Sequence, residues 1–429
     1  MAEVIFPNID ETGAFTSQSV WDRISERVGG GDATHRTEER TARVDSARAR
    51  VGYKLGTGGR GVVMLRFDDY PDDMLSKVMP VLRTHDLPCY FAVTQNHVEN
   101  LSSVTWAQLN TIAVQDGVQM TGHSWSHGQA TSTAGIVQEI IESADYFETQ
   151  MPSTRIDLWT QPSVGGPTPY GDYTGSNDAA FYDTLAGRLL LSRYAVVNGA
   201  RPGFYHPQGH TVPVGTSNLT YESFTFSSFK SYVDQIVAGG YAADLMLHPF
   251  RIDTTGYMTS ATFNECMAYL AQLRTDGKLL VLTGLAKAAL DGGSDYRHSL
   301  LPTSFANGQQ GWLASGYTLT GGFYRSPATT APLTYAMVPS RMTGCRGSVR
   351  EFHAVVRSTT ANTIRLRAYG DNGTFDVSKD FTIPGDGQWR EIRKFLTIPY
   401  DTTETYIRFA VSSTTGVTYD VQQVNAWAA

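Results

Sequence analysis

Between residue 61 and about residue 292, short apolar runs alternate with stretches of helical period. The runs are Val62–Phe67, Cys89–Val93, Val118–Thr121, Ile156–Trp159, Ala195–Val197, Asp244–Leu247 and Leu279–Leu282. Most are continuously apolar rather than alternating, the pattern of parallel strands buried on both faces. Helical spacing fills the gaps. Met74, Leu75, Val78, Met79 and Leu82 follow Asp72 and Asp73, and Ile136, Ile140, Ala144 and Phe147 share one face. Thr262 with Glu265 reads as a capping box ahead of Met267, Leu270 and Leu273. This alternation predicts an α/β fold over residues 61–298, a closed or nearly closed (β/α) barrel of about seven parallel strands.

From about residue 299 the helical period stops. Strand-like segments follow at Thr318–Tyr324, Leu333–Val338, Ser348–Val356, Thr363–Tyr369, Gln388–Ile398, Thr405–Ser412 and Val417–Val424. Turn signals such as Asp371-Asn372-Gly373 and Pro384-Gly385-Asp386-Gly387 separate them, so residues 299–429 read as an all-β sandwich of jelly-roll type. Residues 1–60 are polar and glycine-punctuated, with a short helix expected around Val20–Val28. Such a segment buries little by itself and reads as an arm for attachment or oligomerisation. No internal repeat is evident.

Composition narrows the function classes. The chain has 429 residues with 34 basic and 41 acidic side chains, a formal charge of −7, against a nucleic-acid partner. Apolar runs are too short for membrane insertion. The first residues, MAEVIFPNIDETGAF, lack the basic and apolar regions of a secretory signal. Three widely spaced cysteines, Cys89, Cys266 and Cys345, make neither a zinc knuckle nor a disulfide framework, so any metal falls to histidines and carboxylates. Cys89 and Cys266 read as core thiols.

In a barrel of parallel strands, chemistry gathers at the C-terminal strand ends. Asp68 and Asp69 follow the first run, His123 and His127 the third, Gln161 and Pro162 the fourth, His206 and His210 the fifth, and His248 the sixth. Two imidazoles from His123-Ser124-Trp125-Ser126-His127 with one carboxylate make a ligand set that leaves positions open for water and substrate. Adjacent aspartates suit a division of labour, one on a metal and the other on its water. Paired surface histidines and helix-capping aspartates are the plainer alternatives.

Met64-Leu65-Arg66-Phe67-Asp68-Asp69-Tyr70 resembles the TFDDG signature of the polysaccharide deacetylases, the NodB-homology or carbohydrate esterase family 4 enzymes. His123 to His127 is similar to that family's H-(S/T)-x-x-H motif, and Met246-Leu247-His248 to its L-x-H motif. The resemblance covers about residues 61–292 and implies a distorted (β/α) barrel of about seven strands. It implies Asp68 as general base, His248 as general acid, and Asp69, His123 and His127 as ligands of a divalent metal, usually Zn2+. The implied reaction is hydrolysis of N- or O-acetyl groups on a cell-surface or cell-wall polysaccharide, with the oxyanion on the metal and a backbone N–H such as that of Tyr70. Tyr70, Trp125, Gln161 and His206 are the expected substrate-facing residues.

The chain departs from the family pattern in three places. Tyr70 stands where family members have glycine. The family's R-x-P-Y segment, whose arginine pairs with the catalytic aspartate, reads Trp159-Thr160-Gln161-Pro162-Ser163 here, and Arg66 is the nearest arginine to Asp68 in sequence. His248 is followed by Pro249 in place of the usual aspartate. Ser304-Phe305-Ala306-Asn307-Gly308 with Trp312, and Tyr419-Asp420-Val421, resemble carbohydrate-binding jelly rolls, a looser similarity. The aromatics Trp312, Tyr317, Tyr324, Trp389, Tyr406 and Trp427 are either core or sugar platforms.

A non-catalytic glycan-binding or adhesion protein on a deacetylase-like scaffold is the alternative, and the missing arginine motif favours it. No G-x-S-x-G elbow supports a serine esterase, and the strand ends lack the two separated carboxylates of a glycosidase. An extracellular substrate without an export signal is reconciled by delivery on a virion. In that expectation the protein is a phage tail component whose arm binds tail-assembly partners or further copies of the chain.

Overall fold

The computed structural model describes residues 33–51, 54–162, 184–201, 203–207, 214–293, 312–320, 322–337, 345–404 and 406–429. The barrel strands are β1 Gly61–Asp68, β2 Tyr90–Ala92, β3 Gln119–Thr121, β4 Leu158–Thr160, β5 Val196–Arg201, β6 Val214–Thr220, β7 Ala242–Leu247 and β8 Leu279–Leu282. All pairings are parallel, in the order β3-β2-β1-β7-β6-β5-β4. On its other edge β1 serves two neighbours, β8 along Gly61 to Met64 and β2 along Arg66 to Asp68. The circle closes just past β3. Gly122 donates to the Leu158 carbonyl and accepts from Thr160 N–H, both at 2.8 Å. A Cβ at Gly122 would stand 2.6 Å from the Tyr194 hydroxyl, so a side chain there would hold the strands apart.

The eight-stranded barrel has one strand more than the apolar pattern predicts. The extra strand is β6, whose Val-Gly-Thr-Ser-Asn-Leu-Thr carries hydroxyls and an amide where its neighbours carry Val, Leu and Met. The helices are α1 Ala33–Arg50; α2, running Pro71–Asp73, through a π turn at Met74–Val78, to Met79–His85; α3 Gln95–Asn100; α4 Trp106–Asp116; α5, running Thr133–Val137, a π turn at Gln138–Glu142, and Ser143–Gln150; α6 Leu185–Arg193; α7 Phe226–Gly239; and α8 Ser260–Thr275. Thr94, Thr105, Ser132, Thr184, Thr225 and Thr259 cap α3 to α8 with hydroxyls that accept backbone N–H groups. Thr259, not Thr262, therefore starts α8.

Strand alternation sorts the barrel into layers. Val63, Leu65 and Phe67 face the helices, while Val62 and Met64 pack in the lumen with Leu158, Val196, Leu280 and Leu282. The described end of the polar N-terminal stretch joins this lower lumen: Ala47 of α1 and Val51 pack on the same cluster, and Arg50 pairs with Asp157. The helix expected around Val20–Val28 lies outside the described residues. Above the apolar floor sits a buried polar layer. Lys287 pairs with Asp244 and donates to Asn198 Oδ1 at 2.6 Å, and Asn198 donates to the Tyr90 hydroxyl at 3.2 Å. Burial lowers the Lys287 ammonium to about 8 even with Asp244 beside it. Arg66 and Asp68 form the next layer up.

The C-terminal unit is a sandwich of strands β9 Thr318–Thr320, β10 Phe323–Arg325, β11 Leu333–Met337, β12 Val349–Arg357, β13 Asn362–Gly370, β14 Asp376–Ile383, β15 Arg390–Thr397, β16 Ile407–Ser413 and β17 Asp420–Ala428. One sheet runs β9-β10-β17-β12-β15 and the other β11-β16-β13-β14, every pair antiparallel. The segment expected as a single strand at 318–324 is a hairpin, and β14 is an additional strand. Trp312 and Tyr324 fill the sandwich core. Trp389 lies under Arg357, whose guanidinium is 4.4 Å from the ring centre, and Trp427 stacks on His353. The sandwich docks on the barrel. Thr397 donates to the Ala113 carbonyl at 2.7 Å, Tyr400 N–H donates to the Ser153 carbonyl at 3.0 Å, and Lys379 pairs with Asp86. Gly117, at φ +65°, ends α4 where a Cβ would meet Val349 at 2.9 Å. No described helix is long and apolar enough to cross a membrane, and the three cysteines are free and buried.

Candidate active site

The C-terminal end of β1 carries two carboxylates with different neighbours. Asp68 continues the lumen face of Met64 and Arg66 and is buried. Residues i and i+2 of a strand share a face, so Arg66 reaches it directly: Nε donates to Oδ1 at 2.8 Å and Nη2 pairs with Oδ2. This forked pair takes both carboxylate oxygens. Arg66 thus stands on Asp68 in this chain, whereas the Trp159 to Ser163 segment brings no arginine to the cluster.

The chain then leaves β1 in the left-handed region, with φ 62° at Asp69 and 44° at Tyr70. His127 and Ser124, on the loop after β3, also have positive φ, at 56° and 73°. Such conformations cost non-glycine residues of order 1–3 kcal/mol each and persist where the surroundings enforce them. Four of the six described non-glycine residues with positive φ lie in these two segments. The turn swings Asp69 away from Arg66 and toward the imidazoles. Asp69 Oδ1 lies 3.6 Å from His123 Nε2, and Oδ2 lies 3.8 Å from both His127 Nε2 and His248 Nε2.

Asp69, His123 and His127 each offer one donor atom within 4.8 Å of the others. Asp69 Oδ1 and His123 Nε2 are buried and have no hydrogen-bond partner among the described residues. Orphaned polar atoms converging from two strand ends fit a cation with N and O ligands. His123 is prepared for that role. Its Nδ1 lies 2.8 Å from the Thr160 carbonyl, which leaves the lone pair on Nε2. Burial lowers its pKa to about 4 against the pull of Asp68 and Asp69, so the ring is neutral near pH 7. Burial alone would raise the Asp69 carboxyl, but His97, His123 and His127 outweigh it and hold Asp69 well below the usual carboxylate range.

The loop bearing both histidines is held by Glu139, in the π turn of α5. Glu139 Oε2 accepts from Trp125 N–H and Ser126 N–H, each at 2.9 Å, and Oε1 accepts from the Ser126 hydroxyl at 2.5 Å. π turns are frequent at functional sites. His248, beyond β7, faces Asp69 from the far wall. Its Nδ1 pairs with Glu222, which follows β6. Burial would lower the His248 pKa, but the hydrogen bond that its ring donates to Glu222 and the charges of Asp68, Glu222 and Asp69 together raise it. The cluster therefore sets a neutral His123 imidazole beside a His248 imidazole whose pKa is raised.

The four residues expected to face substrate have separate fates. Tyr70 is on the rim, 38% exposed, with its ring 5.0 Å from that of His97 and 4.5 Å from that of Phe250. Trp125 packs on Tyr146, and no described contact joins it to the carboxylate cluster. Gln161 is buried and accepts from Trp159 Nε1 at 3.0 Å, a packing role. His206 is at the other end of the barrel, its ring 4.7 Å from that of Tyr241. The reason is β6: the chain must return to the N-terminal end before that strand, and Tyr205 pairs antiparallel with Ala242 at the start of β7. His210 lies outside the described residues. Sequence reasoning missed His97, Glu139 and Glu222. His97 follows the Cys89–Val93 run by a few residues, within reach of a strand-end search extended one helical turn, whereas Glu222 follows the strand that the apolar pattern leaves out.

Residues 56–175 match the family model for polysaccharide deacetylase, a segment holding Asp68, Asp69, His123 and His127. That segment therefore resembles a polysaccharide deacetylase domain. Among solved structures, the carbohydrate esterase domain of a multidomain xylanase from the hindgut metagenome of Trinervitermes trinervoides is similar at 14% identity, covering 56% of this chain and 96% of that one, with a TM-score of 0.33. A peptidoglycan deacetylase from Bacillus subtilis is similar at 17% identity, covering 53% and 91%, with a TM-score of 0.33. A xylan-binding domain from Paenibacillus barcinonensis is similar at 15% identity, covering 31% and 95%, with a TM-score of 0.25. No curated protein matches the chain.

Proposed function

We propose that this protein is a divalent-metal-dependent hydrolase that removes N- or O-linked acetyl groups from a polysaccharide. One observation carries the reading: the two adjacent aspartates of β1 are divided, Asp68 to Arg66 and Asp69 to a cluster of imidazoles. Zn2+ suits the two-histidine, one-carboxylate donor set of His123, His127 and Asp69. When bound there, the ion supplies Lewis-acid polarisation of the acetyl carbonyl and a more acidic water.

The side chains supply the proton chemistry. Asp68, oriented by Arg66, accepts the proton of the attacking water. His248, kept proton-rich by Glu222, donates to the departing amine or alcohol. Tyr70 and Phe250 form an aromatic rim beside the cluster, where a sugar ring has a face to stack on. A non-catalytic glycan-binding reading drew its support from the missing arginine motif, and Arg66 on Asp68 removes that support.

The test is acetate release from acetylated xylan, peptidoglycan and chitooligosaccharides, before and after chelation and zinc readdition. Release that stops on chelation and returns with zinc is the expected result. Failure to take up metal, with no acetate from any of these substrates, would overturn the reading.

A further inference from the structure

His97 belongs to none of the motifs that mark the site, yet it stands inside it. Thr94 caps α3 and its hydroxyl accepts His97 N–H at 3.1 Å, which fixes the residue in the first turn. The neighbouring Asn96 N–H donates to the Trp125 carbonyl at 3.0 Å, tying the same turn to the loop of His123 and His127. The His97 side chain is buried under Tyr70, the two rings stacked with 27° between their planes. Its Nδ1 stands 3.1 Å from Asp69 Oδ1, and both buried atoms are without a completed hydrogen bond among the described residues.

Resting on the metal-site reading above, we propose that His97 is a positioning residue: its Nδ1–H donates to Asp69 and holds that carboxylate in the orientation that ligates the ion, without ligating the ion itself. Two geometric facts distinguish this from a fourth ligand. His97 addresses the carboxylate oxygen at hydrogen-bond distance, and the set of mutually close donor atoms contains Asp69, His123 and His127 but not His97. Arg66 takes both oxygens of Asp68, whereas Asp69, in a left-handed turn, has no such fork, and its Oδ1 faces His97. The pull of His97 on the Asp69 carboxyl agrees with the same contact. Partners of this kind, one bond removed from a metal, are worth about 10- to 100-fold in metal affinity.

The measurement is the zinc dissociation constant, by chelator competition, for wild type, His97→Asn and His97→Leu. Asparagine places an N–H donor close to where Nδ1 stood, and leucine removes the donor while filling the space. His97→Leu should bind zinc about 10- to 100-fold more weakly, and His97→Asn should recover most of that loss. Far-UV circular dichroism of the metal-free proteins checks the fold. Because His97→Leu alone could fail to fold, X-ray absorption of zinc-loaded wild type and His97→Asn supplies an independent count: the same number of imidazoles in both supports the proposal, and one imidazole fewer in His97→Asn overturns it by making His97 a ligand. Equal zinc affinity in wild type and a folded His97→Leu also overturns it. A wild type that takes up no zinc defeats the metal-site reading instead, so the two failures are distinguishable.

Discussion

The barrel lumen and the outer face of the β13–β14 side of the sandwich treat charge in opposite ways. In the sandwich, Arg365 pairs with Asp380 on the open face of a sheet, their side chains 41% and 43% exposed. In the barrel, Lys287 pairs with Asp244 at 0% and 1% exposure, directly beneath the layer of Arg66 and Asp68. An exposed pair contributes about 0–1 kcal/mol because water already solvates both partners. A buried pair has lost that water, so removing one partner strands the other charge. On that outer face charge stays in water, although the other sheet of the sandwich holds Arg393 and Glu351 paired at 12% and 6% exposure. The barrel places charge inside, at a cost in stability, where Arg66 holds the Asp68 carboxylate in a set orientation.

The largest effect on stability is expected from Lys287→Met. It leaves Asp244 buried without a counter-ion and should cost about 3–5 kcal/mol in urea unfolding. Adding Asp244→Leu should recover much of the loss. A single variant as stable as wild type would break the comparison at its strongest point.

Arg66→Leu acts one layer higher. With its fork gone, Asp68 loses orientation, and turnover should fall by about 10²-fold or more while zinc content stays at the wild-type level. Arg66→Lys, which keeps charge but not the fork, should fall between the two.

Glu222→Gln sharpens the electrostatic side. Glu222 raises the His248 pKa, and the donor is competent only while protonated. Activity is lost as pH rises through that pKa, so removing the carboxylate should move the alkaline limb of kcat/KM to lower pH. An unmoved limb would detach Glu222 from His248. The smallest effect belongs to the sandwich: Arg365→Met should change stability by less than about 1 kcal/mol.

The same contrast explains what the sequence made legible. Barrel strands buried on both faces announce themselves as apolar runs, and the one strand that did not, β6, is the one built of Thr, Ser and Asn. Missing it had consequences. The chain's return before β6 carries His206 to the far end of the barrel, and Glu222 after β6 went unnoticed. β14 was obscured in the sandwich for a related reason: its exposed face carries Asp376, Ser378 and Asp380, and Lys379 interrupts the inward row of Val377, Phe381 and Ile383. Asp68, Asp69, His123, His127 and His248 were legible because each follows an apolar run. Arg66 was visible as a residue, but its partner depends on both side chains reaching along one strand face. His97 and Glu139 act from helices, and their targets depend on how loops fold back, which spacing does not encode.

The central claim is that neighbouring aspartates have separate duties, and zinc content measured beside acetate release tests it on wild type, Asp68→Asn and Asp69→Asn. Asp68→Asn should keep its zinc and release no measurable acetate, while Asp69→Asn should lose zinc and activity together. An Asp68→Asn protein that sheds its metal, or that still turns over at the wild-type rate, would contradict the account.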